Sequence, residues 1–249
     1  MLMDKMKDGG SRRRLLGLLA LAAAVPVPVA AADRGEVFVI STLYSRHKQV
    51  PTYDLATLKR LIDTVKPDVL VLDVTPTELR TRKVWPGKVE YTDVIFPYLD
   101  AQRIAAYGSE PDEALFKQLT GAAGDSYKAF HADNPAGAKA MDAVKQASYQ
   151  ALATGWKSAA DVNSAKTDHI VAGLREIEEG LVGGAAARVQ QQWDEHHALR
   201  LQDAVRAHPG KRVLMLVGIE SRYRVLQELK AAGAIQPVES EAWLRRAGL

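Results

Sequence analysis

Val69-Leu70-Val71-Leu72 is an unbroken apolar run between Lys66-Pro67-Asp68, which stops a helix, and the acidic Asp73. A run without polar alternation reads as a strand buried on both faces, as in parallel sheets. Just upstream, Leu55, Leu58, Ile62 and Val65 recur at helical spacing behind Asp54, a good N-cap, so 55–66 reads as an amphipathic helix. Before it stand a loop, Ser41 to Tyr53, and a second apolar run, Val37-Phe38-Val39-Ile40. Strand, helix and strand through short connections form a βαβ unit, with parallel strands and a right-handed crossover.

Downstream, Tyr91 to Gln102 reads as a helix interrupted near Pro97, and Arg103 to Tyr107 as a third strand ending at Gly108. From Pro111 to His208 no strand run is convincing. Alanine is frequent there, and Gly121, Gly124, Pro135, Gly155 and Gly180 punctuate helices. Gly180-Leu181-Val182-Gly183-Gly184 reads as a break, and Val189, Trp193, Leu201 and Val205 share one side of the last helix of this stretch. Val213 to Val217 is another buried strand, followed by Gly218 and a helix starting near Ser221. Ala234 to Val238 reads as a short edge strand. The expected fold is one α/β domain over residues 33–249. Its mostly parallel sheet is drawn from both chain ends and flanked by helices, with an inserted helical region at about 111–208.

Residues 1–32 have the layout of a secretory signal peptide: a basic stretch through Arg14, an apolar run from Leu15 to Val25, Pro26 and Pro28, then Ala30-Ala31-Ala32 as a cleavage site. The run is too short to span a bilayer, so membrane contact is expected only in passing, and the destination is the periplasm or the exterior. Ser11-Arg12-Arg13-Arg14-Leu15-Leu16 also resembles a twin-arginine motif. Without this segment the net charge of +3 disappears, leaving 28 basic and 28 acidic residues, so the charge gives no reason to expect a nucleic-acid partner. The chain has no cysteine, hence no disulfide.

In an open parallel sheet ligands bind at the carboxyl ends of the strands. Four segments converge there: Ser41–His47, Asp73–Glu78, Gly108–Glu110 and Gly218–Tyr223. They carry one imidazole, His47, and the carboxylates of Asp73, Glu78, Glu110 and Glu220, a set able to bind a hard divalent metal or activate water. Taken singly, each is an ordinary helix cap or loop-end polar residue. Arg222 and Arg224 open a helix whose N-terminal amides point at this edge, which suits a small anionic ligand. Asp194-x-x-His197 has carboxylate–histidine spacing, but His197 lies between Trp193 and Leu201 and reads as a half-buried packing residue. There is no G-x-S-x-G elbow, Walker A motif or dinucleotide-binding glycine pattern.

The order of segments resembles the TraB/PrgY–Tiki–ChaN–erythromycin-esterase superfamily. The likeness rests on Ser41-Thr42-Leu43-Tyr44, on Val71-Leu72-Asp73-Val74-Thr75-Pro76, on Ile95-Phe96-Pro97 through Ile104 to Ser109-Glu110-Pro111, and on Pro209 through Val213-Leu214-Met215-Leu216-Val217-Gly218 to Ser221. It covers roughly 36–111 and 193–232. The resemblance implies an α/β fold and, in some members, metal-dependent hydrolysis by motif histidines and acids. Here Tyr44 and Ser221 stand where the two histidines belong, Ser41 replaces a glycine and Asp73 a glutamate. Two functions are therefore expected. One is a hydrolase, catalytically degenerate or active, with Asp73, Glu110 and Glu220 on the metal and His47 and Glu78 as acid–base groups. The other is a non-catalytic binding or interaction protein holding a small anionic or aromatic ligand with Tyr44, Ser221, Arg222 and Tyr223.

Overall fold

The computed structural model describes residues 35–249; the expected signal segment lies outside them. Four strands, β1 (Val37–Thr42), β2 (Val69–Leu72), β3 (Ala105–Gly108) and β4 (Val213–Gly218), form one sheet in the order β1-β4-β2-β3. All pairs are parallel: Val37 stands opposite Val213, Val69 opposite Val213 on its other side, and Val69 opposite Ala105. The last strand therefore inserts between the first two, and the trailing ends of all four lie along one edge.

Helices cover both faces. Phe38, Ile40, Leu70, Leu72, Leu214 and Leu216 point to one side. They pack there with Leu58, Leu61, Ile62 and Val65 of α1 (Leu55–Val65), with α3 (Phe96–Gln102) and with Leu244 of α10 (Ser240–Arg246). Val39, Val71, Met215 and Val217 point to the other. They meet Ala198, Leu201 and Ala204 of α8 (Gly184–Ala207), and Val225 and Leu229 of α9 (Ile219–Ala232). Continuous apolar strands follow from this double burial.

The inserted region is helical, with α4 (Glu113–Asp133), α5 (Pro135–Gly155), α6 (Ala159–Val162), α7 (Ala165–Val182) and α8. Gly183, at φ 105, makes the break between α7 and α8. α2 (Pro76–Thr81) opens on a capping box, Thr75 with Glu78.

One expectation is corrected. Residues 234–238 form no strand: only the Val238 N–H to Val37 carbonyl bond, 2.8 Å, ties them to β1, and Pro237 has no N–H to extend a ladder. The expected interruption near Pro97 takes the form of a π-turn over Tyr91–Ile95 that closes with Phe96 N–H on the Tyr91 carbonyl. Pro97 follows at once, inside the continuous helical run, where it has no N–H to offer the preceding turn. Single π-turns inside helices often mark functional positions.

Candidate functional site at the carboxyl edge of the sheet

Asp73 leaves β2 still paired to β4: its N–H reaches the Leu216 carbonyl at 3.1 Å and the Tyr91 hydroxyl at 2.9 Å. Its side chain turns across the sheet edge. Oδ2 accepts from the Gly218 N–H, which opens α9, at 3.0 Å, and from the Tyr44 hydroxyl in a short bond. A helix N-terminus favours a carboxylate at that place. Gly218 has to be glycine here, because a Cβ would stand 2.1 Å from the Tyr44 Oη. Oδ1 faces Nε2 of His197, on α8, at 3.4 Å.

Lys88 completes the centre from the loop before the π-turn. Its ammonium donates to the Asp73 carbonyl and to Glu110 Oε1, each at 2.5 Å, and stands 5.7 Å from the Tyr91 ring centroid. Asp73, Lys88 and Glu110 are all buried, and Glu90 beside them is 0% exposed, its carboxyl set against the Thr42 hydroxyl and its own backbone N–H. Burial raises the Asp73 pKa, but Lys88, His197, Tyr44 and the Gly218 N–H outweigh it and hold the carboxyl at about 2. Burial alone disfavours the Lys88 charge, yet Asp73 and Glu110 keep its pKa above the usual lysine value. Burial and the charge of Asp73 push Glu110 up, with Lys88 opposing. Glu90, desolvated, is pushed up to about 7. Burial lowers His197 to about 4, so it is neutral at pH 7.

The expected site residues divide. Tyr44, Asp73 and Glu110 meet in this centre. Glu78 lies near enough for its charge to act on Lys88 and Glu110, but its Oε2 accepts the Thr75 N–H at 2.9 Å in the capping box. His47 is buried with both nitrogens engaged in its own loop: Nε2 accepts the Leu43 N–H at 3.0 Å, and Nδ1 bonds the Tyr53 carbonyl at 2.7 Å. Burial lowers it to about 4. Glu220 turns to the helical layer, accepting the Tyr149 hydroxyl at 2.7 Å and lying 4.0 Å from Arg175. Ser221 faces Asp194 of α8, and the Tyr223 hydroxyl accepts from Arg224 at 3.1 Å. Arg222 is buried, paired to Asp168 at 2.5 Å and bonded to the Val39 carbonyl at 3.1 Å. Its guanidinium serves the link between α7, α9 and β1.

Sequence reading missed Lys88, Glu90, Tyr91 and Ser109, and gave His197 only its packing role. That role is present, with the Trp193 and His197 ring centroids 6.2 Å apart. His197 also bonds through Nδ1 to Ser109 Oγ at 2.8 Å, while Ser109 Oγ donates to the Leu72 carbonyl at 2.9 Å. His197 Nε2, facing Asp73, has no hydrogen-bond partner. Serine, histidine and aspartate stand in a row, but Ser109 is 0% exposed and none of the described cavities is lined by it. A nucleophile needs a place for substrate within about 3 Å of its oxygen.

The divalent metal implied by the resemblance does not fit the residues present. No group of three or more histidine or acidic side chains among the described residues is disposed to hold one. Glu220 and His47 are bonded elsewhere, and the Lys88 ammonium sits against both Asp73 and Glu110.

The open cavity lies on the other side of the same loop. A 3-10 turn, Tyr44–Lys48, turns Tyr44 inward and Arg46 outward. Arg46 stacks on the Tyr149 ring at 4.1 Å and, with Lys145, Gln49, Gln146 and Gln150, lines a cavity of about 700 Å³ between the turn and α5. Its walls hold two cationic side chains and no carboxylate. Tyr149 is fixed from behind by Glu220.

No family model, curated protein or solved structure matches the chain.

Proposed function

We propose that the chain is an exported protein of TraB/ChaN-like architecture that binds a small organic anion and has no metal-dependent hydrolytic site. The observation that carries this reading is the contrast in charge. The sheet-edge carboxylates are neutralised from within by Lys88, while the cavity above the Tyr44–Lys48 turn presents Arg46 and Lys145 without a lining acid. Lys145 is shared with Glu178 at 2.8 Å, so Arg46 is the principal donor. A guanidinium matches a carboxylate with two parallel hydrogen bonds. The three glutamine amides supply donors and acceptors for hydroxyl groups, so a carboxylate on a hydroxylated body complements the walls. The volume lies within the range of small-molecule sites.

Calorimetric titration with D-glucuronate tests this, with D-glucose as the uncharged control. The mature protein binds glucuronate and not glucose, and Arg46→Ala weakens binding by about 10- to 100-fold, as expected for a charge-assisted bidentate contact. Glucuronate binding no tighter than glucose, or unchanged in Arg46→Ala, overturns the ligand assignment. A metal-dependent rise in Tm of the wild type, with Mn2+ or Zn2+ added, would instead restore the hydrolase reading.

A further inference from the structure

From Leu79 to Lys88 the chain carries four basic residues, Arg80, Arg82, Lys83 and Lys88, and no acid. Lys88 is spent inside, on Glu110. Arg80, with Arg82 at the C-cap of α2 and Arg103 at the C-cap of α3, lines a cavity of about 480 Å³ at the outer edge of β3, the last strand of the sheet. Among the described residues Asp100 is the one acid lining it, and Arg82 already holds that carboxylate at 3.0 Å. Arg82 also donates to the Leu79 carbonyl and lies 5.0 Å over the Phe96 ring, so it serves the fold. Arg80 has a 3.4 Å contact with Thr77 Oγ1, and among the described residues no acid is ion-paired with Arg80, Lys83 or Arg103. Arg82 and Arg103 adopt φ 59 and 53, where glycine is the usual cap, so the fold keeps guanidinium groups where a smaller residue fits more easily.

Trp85, 61% exposed, stands three residues beyond Arg82, within about 11 Å along the chain. The Lys88 N–H closes a turn on the Trp85 carbonyl at 2.9 Å, and a Cβ on Gly87 would stand 2.0 Å from the indole, so the ring lies over Gly87. Buried Lys88 anchors this turn on one side, and Val84, packed against the core, on the other. A single exposed apolar side chain is ordinary. An indole held out beside cations that lack counter-charges has the make-up of an anchor at a bilayer interface.

We infer that the arginine-lined cavity and Trp85 together dock the protein on an anionic phospholipid surface, with Arg80 and Arg103 receiving a lipid phosphate and the indole entering the headgroup layer. A guanidinium matches two phosphate oxygens with parallel hydrogen bonds, and indole rings settle at headgroup level. A free phosphate would use the arginines alone; the exposed indole is what favours a bilayer. The contact is with the surface of the bilayer, since no helix among the described residues is long and apolar enough to cross it. The Arg46 cavity shares none of these residues, so neither result decides the other.

The test is co-sedimentation of the mature protein with vesicles of phosphatidylcholine, alone or mixed equally with phosphatidylglycerol. The wild type binds the mixed vesicles at about 0.05 M NaCl, binds phosphatidylcholine at least about 10-fold more weakly, and is released at about 0.5 M NaCl, as screening requires. Arg80→Gln/Arg103→Gln binds the mixed vesicles roughly 20-fold more weakly, each basic residue near an anionic surface contributing about a fivefold factor. Trp85→Ala binds several-fold more weakly and loses the quenching of tryptophan emission that lipids brominated in the acyl chain cause in the wild type. The three substituted side chains are exposed, so the Tm of both variants stays within about 2 °C of the wild type. Equal binding to both kinds of vesicle, unchanged binding in the arginine variant, or quenching that persists in Trp85→Ala overturns the inference. So does calorimetric binding of glycerol 3-phosphate that the arginine variant loses, if the wild type binds no vesicles: the cavity would then hold a soluble phosphate ester.

Discussion

Tyr44 and Arg46 are two residues apart on one 3-10 turn and belong to opposite kinds of polar environment. Tyr44 enters a closed network in which the Lys88 ammonium is paired with Glu110 and Asp73 is held by hydrogen bonds from within the protein. Arg46 borders an open cavity and rests on an aromatic face. The difference teaches where chemistry with outside molecules is affordable. A buried charge must be paired by the fold, because leaving it unpaired costs several kcal/mol. A rim charge stays solvated and keeps its hydrogen-bonding capacity for a ligand. Both sites hold a lysine and a tyrosine, so those residue types alone do not separate them.

The sharpest way to break this contrast is to unpair the closed centre. Asp73→Asn removes the charge that faces Lys88 and His197, and turns an amide toward the Gly218 N–H that opens α9. About 3–5 kcal/mol of stability should be lost, the range for breaking a buried pair on one side. Urea unfolding measures it. Glucuronate affinity per folded molecule should remain, since none of the walls of the Arg46 cavity is formed by Asp73. A loss below about 1 kcal/mol would mean that the centre is solvated and that the comparison fails.

Glu90 sharpens the contrast through pH. Its folded-state pKa, about 7, lies above its ordinary value of 4.5. The folded protein therefore holds the proton over a window in which the unfolded chain has released it. The stabilisation is complete below pH 4.5 and is lost as pH rises toward 7. Glu90→Gln never ionises, so its stability relative to wild type should climb through this window by about 3 kcal/mol and level off above pH 7. His47 and His197 act in the opposite direction: both are held at about 4, so acidification below 6.5 destabilises the fold. Their contribution cancels in the difference between the two proteins. A difference that stays flat from pH 4.5 to 7 would place water at the Glu90 carboxyl.

What could be read in the sequence follows the same divide. The strands were legible because burial on both faces leaves no polar residue in 37–40, 69–72 or 213–217, a signal local to each run. The helical insertion was legible from composition, and the break at Gly183 falls within the Gly180–Gly184 stretch read as one, whereas Gly121 and Gly124, read as punctuation, lie inside the continuous α4. Lys88 and Glu90 were not, because Lys83 to Glu90 contains Trp85-Pro86-Gly87 and no periodic pattern, and a lysine in such a loop reads as solvated. Its burial is decided by Asp73 and Glu110, 15 and 22 positions away. Glu220 and Arg222 were assigned to the cleft by their nearness to Gly218. Helical phase separates them: Arg222 shares the sheet-facing side of α9 with Val225 and Leu229, while Glu220 turns to Tyr149 and Arg175. The apolar positions of α9 carried that phase signal. His197 could be placed on a packing face from Trp193 and Leu201, but Ser109, 88 positions earlier, could be joined to it only by the fold.

Ser109 provides the finest test, because it separates a reactive row of side chains from a structural one. A triad serine is reached by substrate and by serine-directed reagents, and its loss abolishes activity while leaving stability nearly intact. A structural serine shows the reverse. Ser109 is sealed, with its oxygen shared between the Leu72 carbonyl and His197. Ser109→Ala should cost about 1–2 kcal/mol by stranding His197 Nδ1, and a fluorophosphonate probe should leave the intact mass of the folded wild type unchanged. An adduct localised to Ser109 would show that the centre opens to solvent, and the closed–open distinction drawn from Tyr44 and Arg46 would then have to be abandoned. With the mass unchanged and Ser109→Ala destabilised, the serine–histidine–aspartate row is an element of packing: it fixes the His197 ring against Asp73 and ties α8 to the ends of β2 and β3.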